Sequence, residues 1–572
     1  MIKKNVAETI VETLQQAGAK RCWGIVGDTI NLFTDAIRRS DIRWMHVRHE
    51  EAAGFAAGAE AYLTGEPAIC AGTCGPGSLH YVNSLFESHR NGAPLVFIAS
   101  DVERTEVGLN FPQEVDQRKI YEQCSVFCEY ISHPDQARRI TVMAAQAALT
   151  KKGVAVIVVN GDMFSQTPTD DLPWSVHQAR PVLRPNQTDL QKLADKLNQA
   201  NKVTIYAGIG ARGAGEQVAQ LAERLNAPVG QTSRAKQFVE PYTDHLVGMI
   251  GLFGNSACAA AIEDADVMLC LGTGFAWTES YPSQERVVQI DHDPSEIGKR
   301  APVALGLVGD VGDTIEALLP LIRQKTDRQH LQTSLKRYAD DLKRFDEVVE
   351  KSKGDMIHPQ TVASSLNRLA KVDAIFTADV GTAMVWMLRY LQANGQRQFL
   401  TSLKHATMAN GLSQAMGLAA AYPNRQVIAM CGDGGLSMLM GELLTLRQEK
   451  LPVKIVVFNN HTLGFVELEQ RVEGMLDAYT ELNNPDFVKL AESCGLTGYR
   501  VTQAEDLETT MQTWLNTDGA ALLDVQVNRM ELVMPDNVKA NQMATSAMFG
   551  MKAVLGGRAS ELVSLVRDNW LR

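Results

Sequence analysis

The sequence contains no block of Lys and Arg residues of the kind that binds nucleic acid. Its 66 acidic and 55 basic side chains give a formal net charge of −11, and this excess of negative charge repels phosphate backbones. CxxC pairs are also absent, since Cys70/Cys74 and Cys124/Cys128 are each separated by three residues. We therefore expect no nucleic-acid partner, no zinc or disulfide framework, and reduced thiols in a cytosolic protein.

Long apolar runs are absent as well. Residues 1–20 have apolar side chains at helical spacing, but Glu8, Glu12 and Gln15 interrupt them, so the continuous apolar core of a signal peptide is missing. No run approaches the roughly 18 apolar residues that a transmembrane helix needs. These features predict an intracellular protein. Its 572 residues exceed what one core holds, which predicts about two to four domains.

Short apolar runs, by contrast, recur along the chain and alternate with segments of helical period. Continuous apolar character in a short strand indicates that both faces of a parallel sheet are covered, so the sequence predicts an α/β fold. Polar, proline-containing linkers at 165–189 and 351–361 divide the chain. The predicted strands are 93–100, 153–159, 202–208, 265–272, 286–291, 425–434 and 453–460, and the predicted domains are 1–180, 181–350 and 351–530, with a tail over 531–572.

Two polar side chains follow neighbouring strands of the third segment. Asp433 comes directly after the 425–431 strand, and Asn460 lies 27 positions later at the end of the next strand. One crossover helix, 437–450, joins the two strands, so both residues are expected at the same edge of the sheet. Carboxylate and amide oxygens are ligands that Mg²⁺ accepts. Together they predict a magnesium site.

The glycines around Asp433 fit a phosphate next to that metal. Gly432, Gly434 and Gly435 would let backbone N–H groups approach a diphosphate at a helix start. A GDG tripeptide alone is more commonly a turn or a helix cap. GDG followed by NN at this spacing, however, resembles the motif of the thiamine-diphosphate-dependent enzymes. The resemblance implies that Asp433 and Asn460 bind Mg²⁺ through side chains and Thr462 through its carbonyl.

The same resemblance identifies an acid and a turn near the N-terminus. Glu50 stands where a short strand runs into an Ala/Gly-rich helix and matches the family glutamate that engages the aminopyrimidine of the cofactor. Without the metal motif, a Glu pair at a helix start is a cap that the helix dipole stabilises, and Glu51 is interpreted in that way. Gly75 and Gly77, in a Gly-Pro-Gly turn, resemble the family turn beside the cofactor, although such a turn can be only a turn.

Two apolar residues of the third segment complete the predicted cofactor site. Val380 would lie on the diphosphate side, and Met408 would support the bent cofactor under its thiazolium ring; ordinary core packing is the alternative for Met408. The resemblance covers essentially the whole chain. It implies three Rossmann-like doubly wound parallel-sheet domains, namely pyrimidine-binding, middle and diphosphate-binding, and a homo-oligomer, commonly a tetramer, whose dimer builds each active site from two subunits.

The middle segment predicts a flavin. Closely spaced glycines after strands can hold a diphosphate, and a carboxylate at a strand end can hold a ribose. An empty, vestigial domain is the alternative, but the positions resemble those of FAD-binding pyruvate oxidases and acetohydroxyacid synthases. The predicted FAD-binding residues are Gly208, Gly210, Arg234, Gly272, Asp291 and Asp310.

Three features separate the members of this family. Residues 461–474 contain Phe465 where the synthases carry a Met-Val-x-Gln-Trp-like run, and residues 101–116 lack the paired histidines of the decarboxylases. The segment 556–572 has an amphipathic pattern suited to a membrane interface, although a docked helix is equally compatible with it. This tail resembles that of bacterial ubiquinone-dependent pyruvate oxidases. One departure is Pro112, which interrupts the Phe-Gln-Glu usual in the loop near flavin and substrate.

The expected activity is therefore the oxidative decarboxylation of pyruvate to acetate and CO₂. It would use thiamine diphosphate, Mg²⁺ and FAD, with Glu50 and Phe465 as catalytic residues, Phe465 lying between thiamine and flavin. Electrons would pass to ubiquinone, with the protein bound to lipid on the cytoplasmic face of the inner membrane. Alternatives are an acetohydroxyacid-synthase-like carboligase, a soluble phosphate-dependent pyruvate oxidase, and a non-enzymatic scaffold.

Overall fold

Three six-stranded parallel sheets form the framework of the chain. The computed structural model describes residues 4–169, 172–178, 181–251, 254–274, 281–351, 356–529 and 531. All seven strands predicted from apolar runs are present, and helices flank each sheet, which confirms the predicted α/β fold. The predicted amphipathic segment 556–572 lies outside the described residues. Within them, no helix is both long and apolar enough to cross a bilayer.

The first domain begins with a helix capped reciprocally by Asn5 and Glu8. Its buried strands are continuous in apolar character because helices cover both faces. The elements are β1 (Arg21–Gly24), β2 (Arg43–His46), β3 (Ala68–Gly72), β4 (Leu95–Asp101), β5 (Phe127–Tyr130) and β6 (Val154–Asn160), with α1 (Val6–Gln16), α2 (Asn31–Arg38), α3 (Glu50–Thr64), α4 (Pro76–Leu79), α5 (Val82–Asn91), α6 (Gln117–Tyr121) and α7 (Ala137–Lys151).

The middle domain starts after the polar linker and ends in a long, charged helix. Its strands are shorter, yet those of the sheet centre are fully buried. The elements are β7 (Val203–Ala207), β8 (Val229–Gln231), β9 (Leu246–Gly248), β10 (Val267–Leu271), β11 (Val287–Asp291) and β12 (Leu305–Val308), with α8 (Gln187–Gln199), α9 (Gly215–Leu225), α10 (Lys236–Val239), α11 (Ser256–Glu263), α12 (Val311–Leu318) and α13 (Gln329–Lys351).

The third domain contains the predicted metal edge. Proline stands at the first position of its first helix, where no N–H is needed. The elements are β13 (Ile375–Ala378), β14 (Gln398–Thr401), β15 (Val427–Gly432), β16 (Val453–Asn459), β17 (Thr497–Val501) and β18 (Ala521–Gln526), with α14 (Pro359–Leu369), α15 (Thr382–Tyr390), α16 (Asn410–Ala421), α17 (Asp433–Met438), α18 (Leu443–Glu449), α19 (Gly464–Val472), α20 (Phe487–Ser493) and α21 (Leu507–Asn516).

The prediction of one crossover helix over 437–450 is wrong. The helix begins earlier, at Asp433, and the crossover is broken into α17, a 3₁₀ turn over Met440–Glu442, and α18. Leu439 leaves the helical region at φ −127° and ψ 34°. Gly441 lowers helix propensity at the break, and the side chain of Glu442 bonds to the first domain instead of extending into solvent.

The first and third sheets share one topology. Their strand orders are β2-β1-β3-β4-β6-β5 and β14-β13-β15-β16-β18-β17, whereas the middle sheet has the order β12-β11-β10-β7-β8-β9. In each sheet the direction of chain progression reverses between two central strands: β1 and β3, β13 and β15, and β7 and β10. Ligands of open α/β sheets bind at the carboxyl ends of the strands beside such a reversal.

Helices α3 and α16 join the first and third domains. Their buried, mostly small side chains belong to one hydrophobic cluster that contains Ala52, Ala56, Ala415 and Met416. A Cβ at Gly417 of α16 would overlap the carbonyl oxygen of Ala56 in α3. The two backbones can approach this closely only because glycine has no side chain.

Gly417→Ala is therefore expected to push α3 and α16 apart and to lower the melting temperature. Overpacking of this kind costs about 1–3 kcal/mol. Gly312→Ala is the matched control, because a Cβ there would meet Ala214 at an ordinary 3.4 Å. Thermal unfolding of both variants tests this, and an equal, small change in the two melting temperatures would contradict it.

Candidate active site

Asp433 and Asn460 lie at one edge of the third sheet. Strands β15 and β16 are paired in parallel with Gly432 opposite Phe458, so the residues that follow the two strands emerge side by side. The Asp433 side chain is only 2% exposed, and its Oδ1 accepts a hydrogen bond from the Gly434 N–H at 2.9 Å. Burial raises the pKa of Asp433. A cation at this edge would offset the cost of the buried charge.

A second amide, which the sequence analysis missed, supports that carboxylate. Asn484 Nδ2 donates to Asp433 Oδ2 at 2.7 Å and to Asn459 Oδ1 at 3.1 Å. Asn459 Nδ2 in turn donates to Asp524 Oδ1 at 3.0 Å. Thus the first Asn of the NN pair belongs to a buried network, whereas Asn460 lies at the edge. Asn484 is 51 positions from Asp433 and carries no spacing signal.

The loop after Asn460 has a strained backbone. His461 adopts φ +56°, which costs energy for a residue with a side chain. Asn460 Oδ1 accepts from the Thr462 N–H at 3.2 Å, and Thr462 Oγ1 donates to Glu467 Oε2 at 2.6 Å. Because the hydroxyl of Thr462 is engaged in this way, the residue would have to use its carbonyl, as the family resemblance implies, to bind a metal.

The glycines of this edge differ in their surroundings. A Cβ at Gly434 would meet Leu463 at 2.7 Å, and one at Gly435 would overlap the carboxylate of Asp379, so protein atoms fill both positions. At Gly432 and at Gly381, which follows β13 with φ +133°, a Cβ would meet nothing within 4 Å. Open glycines at the ends of β13 and β15 leave room for a ligand diphosphate against the backbone, beside the metal edge.

Val380 and Met408 border this open space. The Val380 N–H donates to Asn410 Oδ1 at 3.3 Å, and the side chain packs partly against the core of the third domain. Met408 Cε lies 3.5 Å from the position that a Cβ would take at Gly434. Ala406 and Ala409, on either side, have φ +60° and +64°. The strained loop holds Met408 beside the glycines, half-buried instead of in the core.

Asp379 is a buried carboxylate that the sequence analysis did not single out. It follows β13, is 2% exposed, and accepts the Gly411 N–H at 2.8 Å through Oδ1. Its Oδ2 lies against Gly435. Burial raises the pKa of Asp379 to about 6. The Asp379 carboxylate occupies the space that a side chain at Gly435 would need.

Glu50 begins α3 in the first domain. Its Oε2 lies 3.0 Å from His80 Nδ1, and the His80 ring stacks on His49 with centroids 4.8 Å apart. The carboxylate therefore contacts a residue of its own domain, not the metal edge. Glu51 lies in the first turn of α3, as predicted for a cap, but its side chain is not merely solvated, because Oε1 accepts a hydrogen bond from the Asn83 amide.

The Gly-Pro-Gly turn packs against the loop that contains Pro112. Gly75 has φ +60°, and a Cβ there would lie 2.6 Å from the Gln113 Cβ. Cys74 Sγ donates to Gln113 Oε1 at 3.1 Å, and burial raises the pKa of this thiol. Gly77 lies near Glu50, because a Cβ at this position would be 3.8 Å from Glu50 Oε1. Pro112 itself is exposed.

The predicted flavin residues surround the reversal point of the middle sheet. Gly208 and Gly210 follow β7, and Gly272 follows β10. The two loops lie so close together that a Cβ at Gly208 or Gly210 would collide with the loop after β10. Asp291 ends the neighbouring β11 and is largely buried. The structure thus brings these four residues to the carboxyl ends of neighbouring strands, at and beside the reversal of strand order.

The remaining predicted residues have structural contacts that the sequence did not show. Arg234 Nη2 donates to the Asn91 carbonyl of the first domain at 3.2 Å. Asp310 caps α12, with Oδ1 accepting the Gly312 N–H at 3.0 Å. Phe465 is the second residue of α19 and packs partly against the third-domain core.

Comparison with protein families identifies all three domains. Residues 4–120 match the N-terminal TPP binding domain of thiamine pyrophosphate (thiamine diphosphate) enzymes, residues 190–318 match their central domain, and residues 379–525 match their C-terminal TPP binding domain. The chain belongs to the thiamine-diphosphate-dependent enzyme family.

Relatives of this thiamine-diphosphate enzyme cover nearly its full length. YdaP of Bacillus subtilis is 34% identical over 574 residues, which are 99% of each chain. The pyruvate oxidase of Lactiplantibacillus plantarum is 30% identical over 508 residues, covering 87% of this chain and 84% of the relative. The large subunit of acetolactate synthase isozyme 2 of Escherichia coli is 28% identical over 544 residues, covering 93% and 97%.

The stability of the enzyme without cofactor should respond to the titration of Asp379. Burial raises its pKa from 3.8 to about 6, so between about pH 4 and 6 the unfolded chain releases a proton that the folded chain retains. Stability then falls as pH rises through this window, by roughly 3 kcal/mol. Asp379→Asn lacks this titration. Its melting temperature should therefore gain on that of the wild type from pH 4 to 6, and a constant difference would contradict this.

Proposed function

We propose that this enzyme is an FAD-dependent pyruvate oxidase that converts pyruvate to acetate and CO₂ and delivers electrons to ubiquinone. The observation that carries the proposal is the presence of two separate strand-end sites. The third domain has the acidic, glycine-lined edge around Asp433. In the middle domain, Gly208, Gly210 and Gly272 follow the two strands at the reversal of strand order, and the largely buried carboxylate of Asp291 ends the next strand. The first site would bind thiamine diphosphate and the second a flavin dinucleotide.

The third domain would bind the metal and the diphosphate. Asp433 and Asn460 would hold Mg²⁺ through side-chain oxygens, and Thr462 through its carbonyl, because these are hard oxygen donors. The diphosphate would lie against Gly432 and Gly381, where the structure leaves space, with Val380 next to it. When bound, thiamine diphosphate supplies a C2 carbanion and an electron sink, and FAD supplies a two-electron acceptor.

Glu50 would exchange a proton with N1′ of the aminopyrimidine and so favour loss of the C2 proton. His80, 3.0 Å away, restricts the rotamer of Glu50. Met408 would support the thiazolium from below, and Phe465 would lie between thiamine and flavin, as in the enzymes that the sequence resembles. After the two-carbon unit left by decarboxylation has passed two electrons to FAD, water would attack that unit and release it as acetate.

A second subunit would complete each site. Glu50 and Asp433 belong to different domains, and Glu50 pairs with His80 instead of the metal edge. In the crossover that follows Asp433, Met438, Met440 and Leu444 are exposed, and Tyr479 is fully exposed. Exposed large apolar side chains are expected where another protein chain covers the surface. We infer a dimer in which Glu50 of one subunit serves the cofactor of the other, and a tetramer built from two dimers.

We base the proposed acceptor and location on the amphipathic pattern of residues 556–572. An amphipathic helix can lie in a membrane interface without spanning it. We infer peripheral binding to lipid on the cytoplasmic face of the inner membrane, where ubiquinone is accessible.

A carboligase of the acetohydroxyacid synthase type is the second candidate. The similarity to the Escherichia coli acetolactate synthase subunit, over 93% of this chain, favours it. This reaction would form acetolactate and need no electron acceptor.

An anaerobic experiment separates the candidates. Pyruvate added to the purified enzyme with Mg²⁺, thiamine diphosphate and FAD should bleach the flavin absorbance, and a ubiquinone analogue should restore it faster in the presence of lipid vesicles. An unbleached flavin with accumulation of acetolactate would establish the carboligase. Formation of acetyl phosphate, dependent on inorganic phosphate and indifferent to lipid, would establish a soluble oxidase.

Glu50→Gln should lower turnover by about 100-fold or more, because it removes the acid that activates the cofactor. FAD content, measured by absorbance after gel filtration, should be unchanged, since Glu50 lies in the first domain. Glu51→Gln is the matched control: it makes the same change one residue later, at a side chain bonded to Asn83. Full activity of Glu50→Gln would refute the assignment.

A further inference from the structure

Glu442 is a buried carboxylate of the third domain whose hydrogen bonds cross to the first domain. It ends the 3₁₀ turn that breaks the crossover between α17 and α18, and it is 1% exposed. Its Oε1 accepts the His49 N–H at 2.9 Å and the Arg48 N–H at 3.1 Å, and Thr445 Oγ1 donates to Oε2 at 2.7 Å. Burial raises the pKa of Glu442 to about 7.

Glu442 accepts hydrogen bonds from the N–H groups of Arg48 and His49, the two residues immediately before Glu50. At the start of a helix these donors have no partner within the helix. Glu442 satisfies those of Arg48 and His49, and His49 Nδ1 accepts the N–H of Glu51 at 3.2 Å. Glu442 therefore fixes the backbone that sets the position of the Glu50 side chain.

The same contact also affects the other side of Glu50. His49 stacks on His80, and His80 pairs with the Glu50 carboxylate at 3.0 Å. A shift of the His49 backbone would move both the main chain of Glu50 and the imidazole next to its carboxylate.

Neighbouring contacts between the two domains lack this relation to Glu50. Glu449 accepts the His46 N–H at 3.2 Å and pairs with the exposed guanidinium of Arg43. Gln448 binds the guanidinium of Arg48. The Glu449 bonds hold the end of β2, four or more positions before Glu50, and the Gln448 bond reaches Arg48 only through its flexible side chain. These contacts therefore provide a matched comparison.

We propose that Glu442 is a positioning residue that holds the start of α3 so that Glu50 keeps the geometry needed to activate the cofactor. The proposal rests on the proposed role of Glu50. Glu442 stands nine positions after Asp433. The segment 433–442 therefore connects the predicted metal ligand Asp433 with the residue that holds the backbone next to Glu50.

The test is the rate at which enzyme-bound thiamine diphosphate exchanges its C2 proton for deuterium, measured by acid quench and NMR. Glu442→Ala should slow this exchange about tenfold or more, since small displacements of a catalytic group cost that much. Glu442→Gln, which keeps an oxygen acceptor, should recover part of the rate. Glu449→Gln should stay within about twofold of the wild type. Full-length protein with saturating Mg²⁺ and thiamine diphosphate is used throughout.

Exchange within about twofold of the wild type in both Glu442 variants would overturn the proposal. So would a loss that is proportional to lost cofactor, determined by titration, or that occurs only above the melting temperature of the variant, since either would show a merely structural role. The exchange needs no pyruvate, flavin or quinone, so failure of the oxidase assignment leaves this test intact. Unchanged exchange in Glu50→Gln would instead remove the role of Glu50 itself and the inference with it.

Discussion

The contact of α3 with α16 is the constraint on which the candidate active site depends. These helices approach so closely that Gly417 has no space for a Cβ beside the Ala56 carbonyl, and one hydrophobic cluster runs through both domains. Because α3 begins at Glu50 and α16 begins two residues after Met408, this packing sets the relation between two predicted cofactor-binding regions. Dispersion and burial of apolar area stabilise the contact, while the polar groups at the helix ends adjust to it.

Parallel sheets explain why the polar residues collect where they do. Gly208, Gly272 and Asp433 follow strands at the point where strand order reverses, whereas Glu50 follows the edge strand β2. There the backbone N–H groups of following helices are free to face a ligand. The price is a set of buried carboxylates. Asp433 and Asp379 are both nearly inaccessible, and burial raises the pKa of each. Amide and backbone donors from Asn484 and Gly411 offset part of this cost.

Departures from regular structure occur at the same places. The crossover after Asp433 breaks where Glu442 binds the first domain, and His461, Ala406 and Ala409 adopt left-handed backbone angles beside Asn460 and Met408. Such strain persists only where surrounding contacts hold it. Pro112, the departure from the Phe-Gln-Glu pattern, lies in an exposed loop and not in a packed core. Its neighbour Gln113 accepts a hydrogen bond from the Cys74 thiol.

The sequence by itself determined the fold class and the edge shared by Asp433 and Asn460. Continuous apolar strands and a single crossover are local patterns, and in a parallel sheet they dictate which strand ends meet. It did not determine the roles of Asn484, Asp379 or Glu442. Asn484 reaches Asp433 across 51 positions and Glu442 reaches Arg48 across 394. These contacts exist only once loops fold back and domains dock, because periodicity describes which face a residue occupies and not which distant side chain comes to meet it.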